Sequence, residues 1–490
     1  MKNRFITIFS LALACILHVS CSLLDVDNPS HIYGSDYWNS KGNVEGYLTG
    51  LYTAFRSTCN TTSYLTERSD EFVGGLEAGT SNYLTQNLTA LNGSSWSSFY
   101  TVIQHCNMLI KYAPTVEFAR ERDRNDILAQ AYTIRSYMYF YLARVWGDAP
   151  LELTPTESST KPKLARSPVT DVLAQAISDA DRAISLFSAD GWVAGKARAS
   201  KQAAYALKAD ILLWRAKVIY AGNVAKSKAD LEDVIRYADL ALQGCELESD
   251  FKTIFSTRTG KEIIWAIHFG YPEITGQYSY LLKPRDIFVE NAVNKEDISY
   301  AKSGARSSFA PSPKIISLLN AYPGDVRAGS VIVAKDAGGN TLGTFDNKMR
   351  GTANENDVTY DNDIVIYRAA EMVLFKAEAY AALDRVSDAI DQLDIIRRRA
   401  GLSPWAGSVN KRAVEVEICD ERGREFYLEN KRWPDLLRFH YEGVINIYDA
   451  VPNLKARAAA GTFVPLYLAI PTSDMDLNSL LVQTEGYEDL

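Results

Sequence analysis

The sequence predicts a mostly α protein, in which paired helices form a scaffold around a loop-rich segment containing a few short strands. Three observations carry this. Apolar residues recur at three- and four-residue spacing over several long stretches, as one buried helix face requires. Those stretches begin or end at Ser, Ser-Pro or Gly, the residues that start and stop helices. Residues 245–360 lack helical period and are rich in Pro, Gly, Ser and aromatic residues.

Asp126 to Trp146 reads as a helix, with Ile127, Ala131, Ile134, Met138 and Tyr141/Leu142 on one face and Gly147 as its stop. Ser167-Pro168 gives an N-cap and a proline at the first helical position. Val172, Ala176, Ala180, Ala183 and Leu186/Phe187 continue that helix. Ser200 opens another, carrying Ala203, Ala206/Leu207, Ile211 and Trp214 and ending near Gly222. Lys228 to Leu242 follows, stopped by Gly244. Asp363 to Leu383 and Ser387 to Ala400 form a hairpin of two helices, with Gly401 closing the second. Ala377, Tyr380, Ala389 and Leu393 fall at the spacing of the 34-residue tetratricopeptide hairpin, where small residues let two helices approach. Three or four imperfect pairs of this kind predict degenerate tetratricopeptide-like repeats. Within 245–360, Glu262 to Ile267 predicts a buried strand. Val331 to Val333 and Thr341 to Phe345, joined through Gly338-Gly339-Asn340, predict a hairpin.

The first twenty residues read as a secretory signal: Lys2 and Arg4, then an apolar run from Phe5 to Leu17. A small residue, Ser20, stands before Cys21, the order of a lipidation site in which the cysteine becomes the mature N-terminus. Simple cleavage to a soluble exported protein is the competing reading. No later stretch reaches the roughly 18 apolar residues of a spanning helix, so the expectation is anchoring rather than spanning.

The chain has 490 residues and a net charge of −8, with 52 basic and 60 acidic residues. Lys2 and Arg4 are the only charges in the leader, and their loss takes the net charge to −10. That balance argues against nucleic acid. An apolar fraction of 47% excludes disorder for most of the chain. Cys59, Cys106, Cys245 and Cys419 are far apart and without metal spacing, leaving free thiols or one disulfide open. The histidines, among them His268, form no paired motif, and no phosphate-binding or EF-hand pattern is present. No cofactor is expected. Asp346, Asn347, Asp361, Asn362 and Asp363 could bind Ca²⁺, but read better as solvated loop residues.

Several segments in order resemble the SusD/RagB family of surface nutrient-binding lipoproteins of Bacteroidetes. They are Cys21 to Asp25 with Asn28-Pro29, Trp96 to Ile103 with Asn107, and Tyr139 to Leu151 with its Trp146-Gly-Asp-Ala-Pro. Pro311-Ser-Pro313 with Asp325-Val-Arg327, Tyr367 to Ala379, and Glu421-Arg422 through Arg432 to Asp435-Leu436 continue the series. The resemblance implies a signal peptide over 1–20 and one SusD-like domain over 21–490. Its helical scaffold would cover about 40–245 and 361–445, and its ligand-binding loops about 246–360. It implies no catalytic activity, a lipid anchor at Cys21 in the outer membrane facing outward, and an oligosaccharide or peptide ligand. It also implies delivery to a TonB-dependent outer-membrane transporter as partner.

Glu421, Arg422, Arg424, Glu425 and Arg432 read as ion pairs locking adjacent helices. Glu421 and Glu425, one turn apart, point the same way and cannot flank a glycosidic bond. Trp96, Trp146, Trp214 and Trp433 sit in helical patterns and read as core. Sugar rings pack on aromatic faces, and their hydroxyls need polar neighbours. On that basis Tyr271, Tyr278 and Tyr280, with Gln277 and Arg285, are the first ligand-binding candidates. Tyr64, Asp70 and Tyr83, with Arg68, Glu71 and Asn82, form a second polar-aromatic loop. Peptide binding on the same scaffold, a surface glycosidase and a purely structural repeat adaptor are the competing functions.

Overall fold

The computed structural model describes residues 37–487, apart from positions 80, 94, 193–194, 257–259 and 356. The leader and the lipidation cysteine lie outside the described residues. Among the described residues, ten helices of at least ten residues build the scaffold: α1 (Lys41–Cys59), α2 (Ser97–Tyr112), α3 (Glu121–Val145), α4 (Val169–Leu186), α5 (Lys201–Trp214), α6 (Val224–Leu242), α7 (Ala369–Ala382), α8 (Val386–Arg399), α9 (Lys411–Glu425) and α10 (Arg432–Tyr441). Neighbours in sequence pack in pairs, α1 on α2, α3 on α4, α5 on α6 and α7 on α8. α7 also packs on α6, although the whole loop-rich segment separates them in sequence. Ala377, Ala389 and Leu393 are fully buried where α7 meets α8. This is a mostly α fold of tetratricopeptide-like pairs.

Local chemistry sets the helix ends. The Ser200 hydroxyl accepts the Ala203 amide at 3.2 Å, capping α5. A wider π turn, Arg215–Ile219, prolongs α5 toward Gly222. α3 begins earlier than its apolar stripe suggests, because Glu121 and Asp123 suit the positive end of the helix. α4 begins one residue past Pro168, and its cap comes from elsewhere: Asp148 Oδ1 accepts the Val169 amide at 2.7 Å. Trp96, Trp146, Trp214 and Trp433 all lie in the core.

The loop-rich segment holds most of the short strands, and β1 and β8 pair with it from either side. β1 (Phe72–Gly74) pairs antiparallel with β3 (Phe309–Pro311), β2 (Ile263–Ile267) with β8 (Ile364–Arg368), β4 (Val331–Lys335) with β5 (Thr341–Asp346), and β6 (Thr352–Ala353) with β7 (Val358–Thr359). β2 is buried at every position. The β4–β5 turn is tied by Asp336, whose Oδ1 accepts the Gly338 and Asn340 amides at 2.8 and 2.9 Å. Gly339 there has φ +82°, which a side chain would strain.

One helix boundary is corrected. The helix expected from Asp363 begins only at Ala369, because Ile364-Val-Ile-Tyr-Arg is β8, buried throughout and paired with β2. β-branched residues favour this pleated, doubly covered position.

The ion pairs of α9 are buried and reach past the neighbouring helices. Arg327 holds Glu421 at 2.6 Å, Glu425 at 3.0 Å and Asp325 at 2.8 Å. Glu421 and Glu425 thus share one arginine from one helix face. Arg368, at the end of β8, meets Glu262 at 2.6 Å, Glu425 at 2.5 Å and Glu429 at 2.8 Å. Arg422 pairs with Asp435 at 2.8 Å, and Arg432 with Asp70 at 2.7 Å. The four described cysteines are free. Burial pushes the Cys245 thiol up to about 11 and that of Cys419 to about 12.

Candidate functional site

The loop after β2 is clamped between scaffold and segment. Gly270 and Ile274 exchange backbone hydrogen bonds. The Tyr271 amide donates to Asp361 Oδ2 at 2.7 Å, and the Gly276 and Gln277 amides donate to the Tyr360 carbonyl. Asn60, the C-cap of α1, donates to the Gly276 carbonyl and accepts the Tyr278 amide, both at 2.9 Å. Tyr271 rides on this loop with 47% of its surface exposed.

The other first-choice candidates differ in place. Tyr278 is 1% exposed, and its hydroxyl donates to the Leu428 carbonyl at 2.9 Å. Gln277 is fully buried; its Oε1 accepts the Ser279 amide and its Nε2 faces Met349 Sδ. Neither offers a face to a ligand, and both are corrected to core residues. Tyr280 is half-buried against Ala301, Ala305, Tyr360 and Val358. Arg285 is committed to Glu77, with Nε–Oε2 at 3.0 Å.

The second expected loop packs against the core, with Asp70 buried and Tyr64 and Tyr83 half-buried. Tyr64 is ringed by Tyr83, Phe99, Tyr141 and Trp146, with centroids at 5.4–6.1 Å. Burial pushes the Tyr83 phenol well up. Asp70 is buried in a two-pronged pair with Arg432, at 2.7 and 2.9 Å. Tyr64, Asp70 and Tyr83 therefore hold the fold together. These stretches lack period because irregular backbone is packed by partners from the far end of the chain, a circumstance that periodicity cannot reveal.

The acidic loop residues are occupied rather than solvated. Asp346 is buried with Lys283 at 2.6 Å. Asp361 is buried beneath the Tyr271 amide. Asp363 Oδ1 lies 3.0 Å from His268 Nδ1 and accepts the Phe269 amide at 2.9 Å. Asn362 accepts from Gly351 and donates to the Phe255 carbonyl. Asn347 donates to the Gly329 carbonyl. Among the described residues no group of three or more acids, histidines or cysteines could hold a metal ion.

What the structure does bring together is a cleft of about 180 Å³ where α1 meets the Ala197-Arg198 turn and the end of β2. Thr49, Tyr52, Thr53, Phe55 and Arg56 come from α1, and Ala266, Ile267 and His268 from β2 and its exit. Phe55 forms the floor, stacked on Trp265 at 5.4 Å with the rings 12° apart. Tyr52 is fixed at both ends of its hydroxyl, donating to Gln130 Oε1 at 2.9 Å and accepting the Ala199 amide at 2.8 Å. The Arg198 guanidinium lies 4.2 Å over the Tyr52 ring, a cation–π contact that orients it. No carboxylate is among the lining residues, so the cleft lacks the acid pair that cleaves a glycosidic bond. Its inventory is that of a binding pocket: an aromatic floor, hydroxyls and fixed cationic donors. Tyr271 follows His268 by three residues on the adjoining loop.

Sequence reading passed over Tyr52, Arg56 and Arg198. The first two sit inside a regular helical pattern, where a polar residue reads as a solvated face. One signal was available: Thr49, Tyr52, Thr53 and Arg56 line one side of α1 with aromatic and polar residues at helical spacing.

Comparison with known proteins agrees with this architecture. Residues 325–487 match the model of the SusD family, and residues 22–213 match a SusD-like model described as starch-binding and associating with the outer membrane. A SusD-like protein, P38 of Formosa agariphila, is 25% identical over 483 residues, covering 89% of this chain and 91% of that one. The starch-binding protein SusD of Bacteroides thetaiotaomicron is 36% identical over 131 residues, which is 26% of this chain and 22% of that one. In fold, the chain is similar to B. fragilis NanU, with TM-score 0.80 at 24% identity over 95% of this chain and 100% of that one. A SusD superfamily protein of Bacteroides vulgatus gives TM-score 0.76 at 22% identity, over 92% and 100%. Matched at both ends by models of one family and sharing its architecture nearly throughout, the chain belongs to the SusD/RagB family.

Proposed function

We propose that this protein is a lipid-anchored, outward-facing nutrient-binding protein of the outer membrane. It captures an oligosaccharide at the cleft beside α1, with the exposed Tyr271 on the adjoining loop, and passes it to a TonB-dependent outer-membrane transporter without cleaving it. The observation that carries the reading is the cleft itself, open, floored by Phe55, lined by hydroxyls and cations, and free of a carboxylate pair. Family membership supports the outer-membrane role, and the starch-binding description of one family model supports a glycan over a peptide.

The test is calorimetric titration of oligosaccharides into the mature chain and into Tyr271→Ala, Tyr280→Ala and Tyr278→Ala, with thermal melts on the same samples. Tyr271→Ala should weaken binding by about 1 kcal/mol, the scale of one lost ring face, at unchanged melting temperature. Tyr280→Ala should give a smaller loss. Tyr278→Ala should lower the melting temperature, since it deletes a buried ring and its hydrogen bond. Every captured sugar should be recovered intact after hours. Capture of peptides but of no sugar, or release of shortened sugars, would overturn the reading.

A further inference from the structure

We infer that the cleft beside α1 recognises an acidic glycan, one whose sugar carries a carboxylate or a sulfate ester. This rests on the reading of the cleft as the ligand site and adds the charge of what enters it.

The inference comes from where this acidic chain leaves its cations unpaired. Many of its buried cations are matched by carboxylates, Arg135 by Asp179, Lys283 by Asp346, Arg432 by Asp70 and Arg438 by Glu378, and the buried Arg68 is matched by carbonyl oxygens. Arg56 and Arg198, both half-buried, have no carboxylate partner among the described residues. The Arg56 guanidinium makes no ion pair or hydrogen bond among the described residues, although acidic residues outnumber basic ones in the chain. Arg198 Nη1 is buried and without an acceptor among the described residues. Unmatched donors also occur on Arg144, Arg399 and Arg422 in the interior, but Arg198 lines a cleft, where a ligand acceptor can complete its hydrogen bonding.

Both arginines line the same cleft, together with His268, and no carboxylate lines it. His268 Nδ1 is held by Asp363, which leaves Nε2 as the ring nitrogen available to a ligand. Arg198 is fixed flat over Tyr52, and a pre-oriented planar guanidinium is suited to a two-pronged grip on an oxyanion. Thr49 and Thr53 hydroxyls donate back to α1 carbonyls, leaving their oxygens as acceptors for sugar hydroxyls. Two cations, a histidine and outward acceptors suit a polyol bearing a negative group better than a neutral one.

The experiment is titration of matched oligosaccharides that differ only in one sugar, neutral, carboxylated or sulfated, into wild type, Arg56→Gln and Arg198→Gln. The carboxylated or sulfated member should bind at least about tenfold more tightly than the neutral one. Each substitution should erase most of that preference, and added salt should shrink it in the wild type. Binding of the neutral member should fall far less than that of the acidic member in Arg56→Gln. Should a glutamine variant fail to fold, Arg56→Lys and Arg198→Lys serve, and they should keep charge preference while losing affinity, since an ammonium cannot make the paired contact. Neutral and acidic sugars bound equally, or acidic binding unmoved by either substitution, overturns this inference and leaves glycan capture standing. Absence of binding to all three classes overturns glycan capture as well.

Discussion

Glu71 shows how burial writes a pH dependence into one residue. Its Oε2 accepts the Leu428 amide at 3.2 Å, while Oε1 is buried without a partner among the described residues. Burial pushes its carboxyl up to about 8, against the opposing pull of that amide and of Arg432. The folded chain then holds a proton that the unfolded chain, with an ordinary carboxyl near 4.3, has released. Between these values the folded state binds more protons, so this residue makes stability fall as pH rises from about 4.5 to about 8. Glu71→Gln should flatten that slope and be the more stable protein at pH 8, by on the order of a few kcal/mol at most, measured by urea unfolding across the pH range. At this scale the sequence was legible where a residue sat in a periodic pattern. The four helical tryptophans read correctly as core. Tyr64, Asp70, Tyr83 and Tyr278 did not: Asp70 and Tyr278 are buried by groups remote in sequence, Arg432 lying 362 residues from Asp70 and the Leu428 carbonyl 150 from the Tyr278 hydroxyl, while Tyr64 and Tyr83 are half-buried against the core.

Among the elements, β8 and α9 meet at Arg368, which bonds Glu262, Glu425 and Glu429 beside their further partners Arg399, Arg327 and Lys348. Arg368→Met should cost roughly 3–5 kcal/mol, because it leaves a buried network of three carboxylates short of one positive charge and of the hydrogen bonds it made. Adding Glu425→Gln to it should recover part of that loss. If the second change instead adds its own full cost, the arginine acts by packing on Phe426 and not by charge, and chemical denaturation of the single and double variants decides between the two. Helix existence was legible from spacing and caps, and so were β2 and the β4–β5 hairpin. The start of α7 was not, because Ile364-Val-Ile sits in register with the helical stripe that follows. Only its partner β2, about a hundred residues earlier, makes it a strand. The cleft was illegible for a related reason: it joins α1, the 197–198 turn and the exit of β2, three places that no local pattern connects.

For the whole molecule, the apolar run before Ser20-Cys21 makes attachment the decisive test. No helix among the described residues is long and apolar enough to cross a membrane. Cys21→Ala should abolish lipid labelling and move the protein from the membrane to the soluble fraction, read by metabolic labelling and fractionation. Labelling and retention unchanged in that variant would refute the anchor.

The pairing of β2 with β8 brings both ends of residues 268–363 to adjacent positions in one small ladder. A segment pinned in this way is a cassette. Closing a longer loop between fixed ends adds only about 0.6 kcal/mol per doubling of length, so its exposed stretches can lengthen, shorten or be exchanged at little cost to the helices, provided Arg327, Tyr278 and Lys348 keep their bonds to residues 421–429. Diversification of what the molecule recognises can thus proceed by replacing the cassette, or by changing a few positions on α1 that face it, while the ladder and Arg368 keep the socket constant. A chimera that takes a relative's segment between Ile267 and Ile364 would be the natural way to move recognition from one such protein to another.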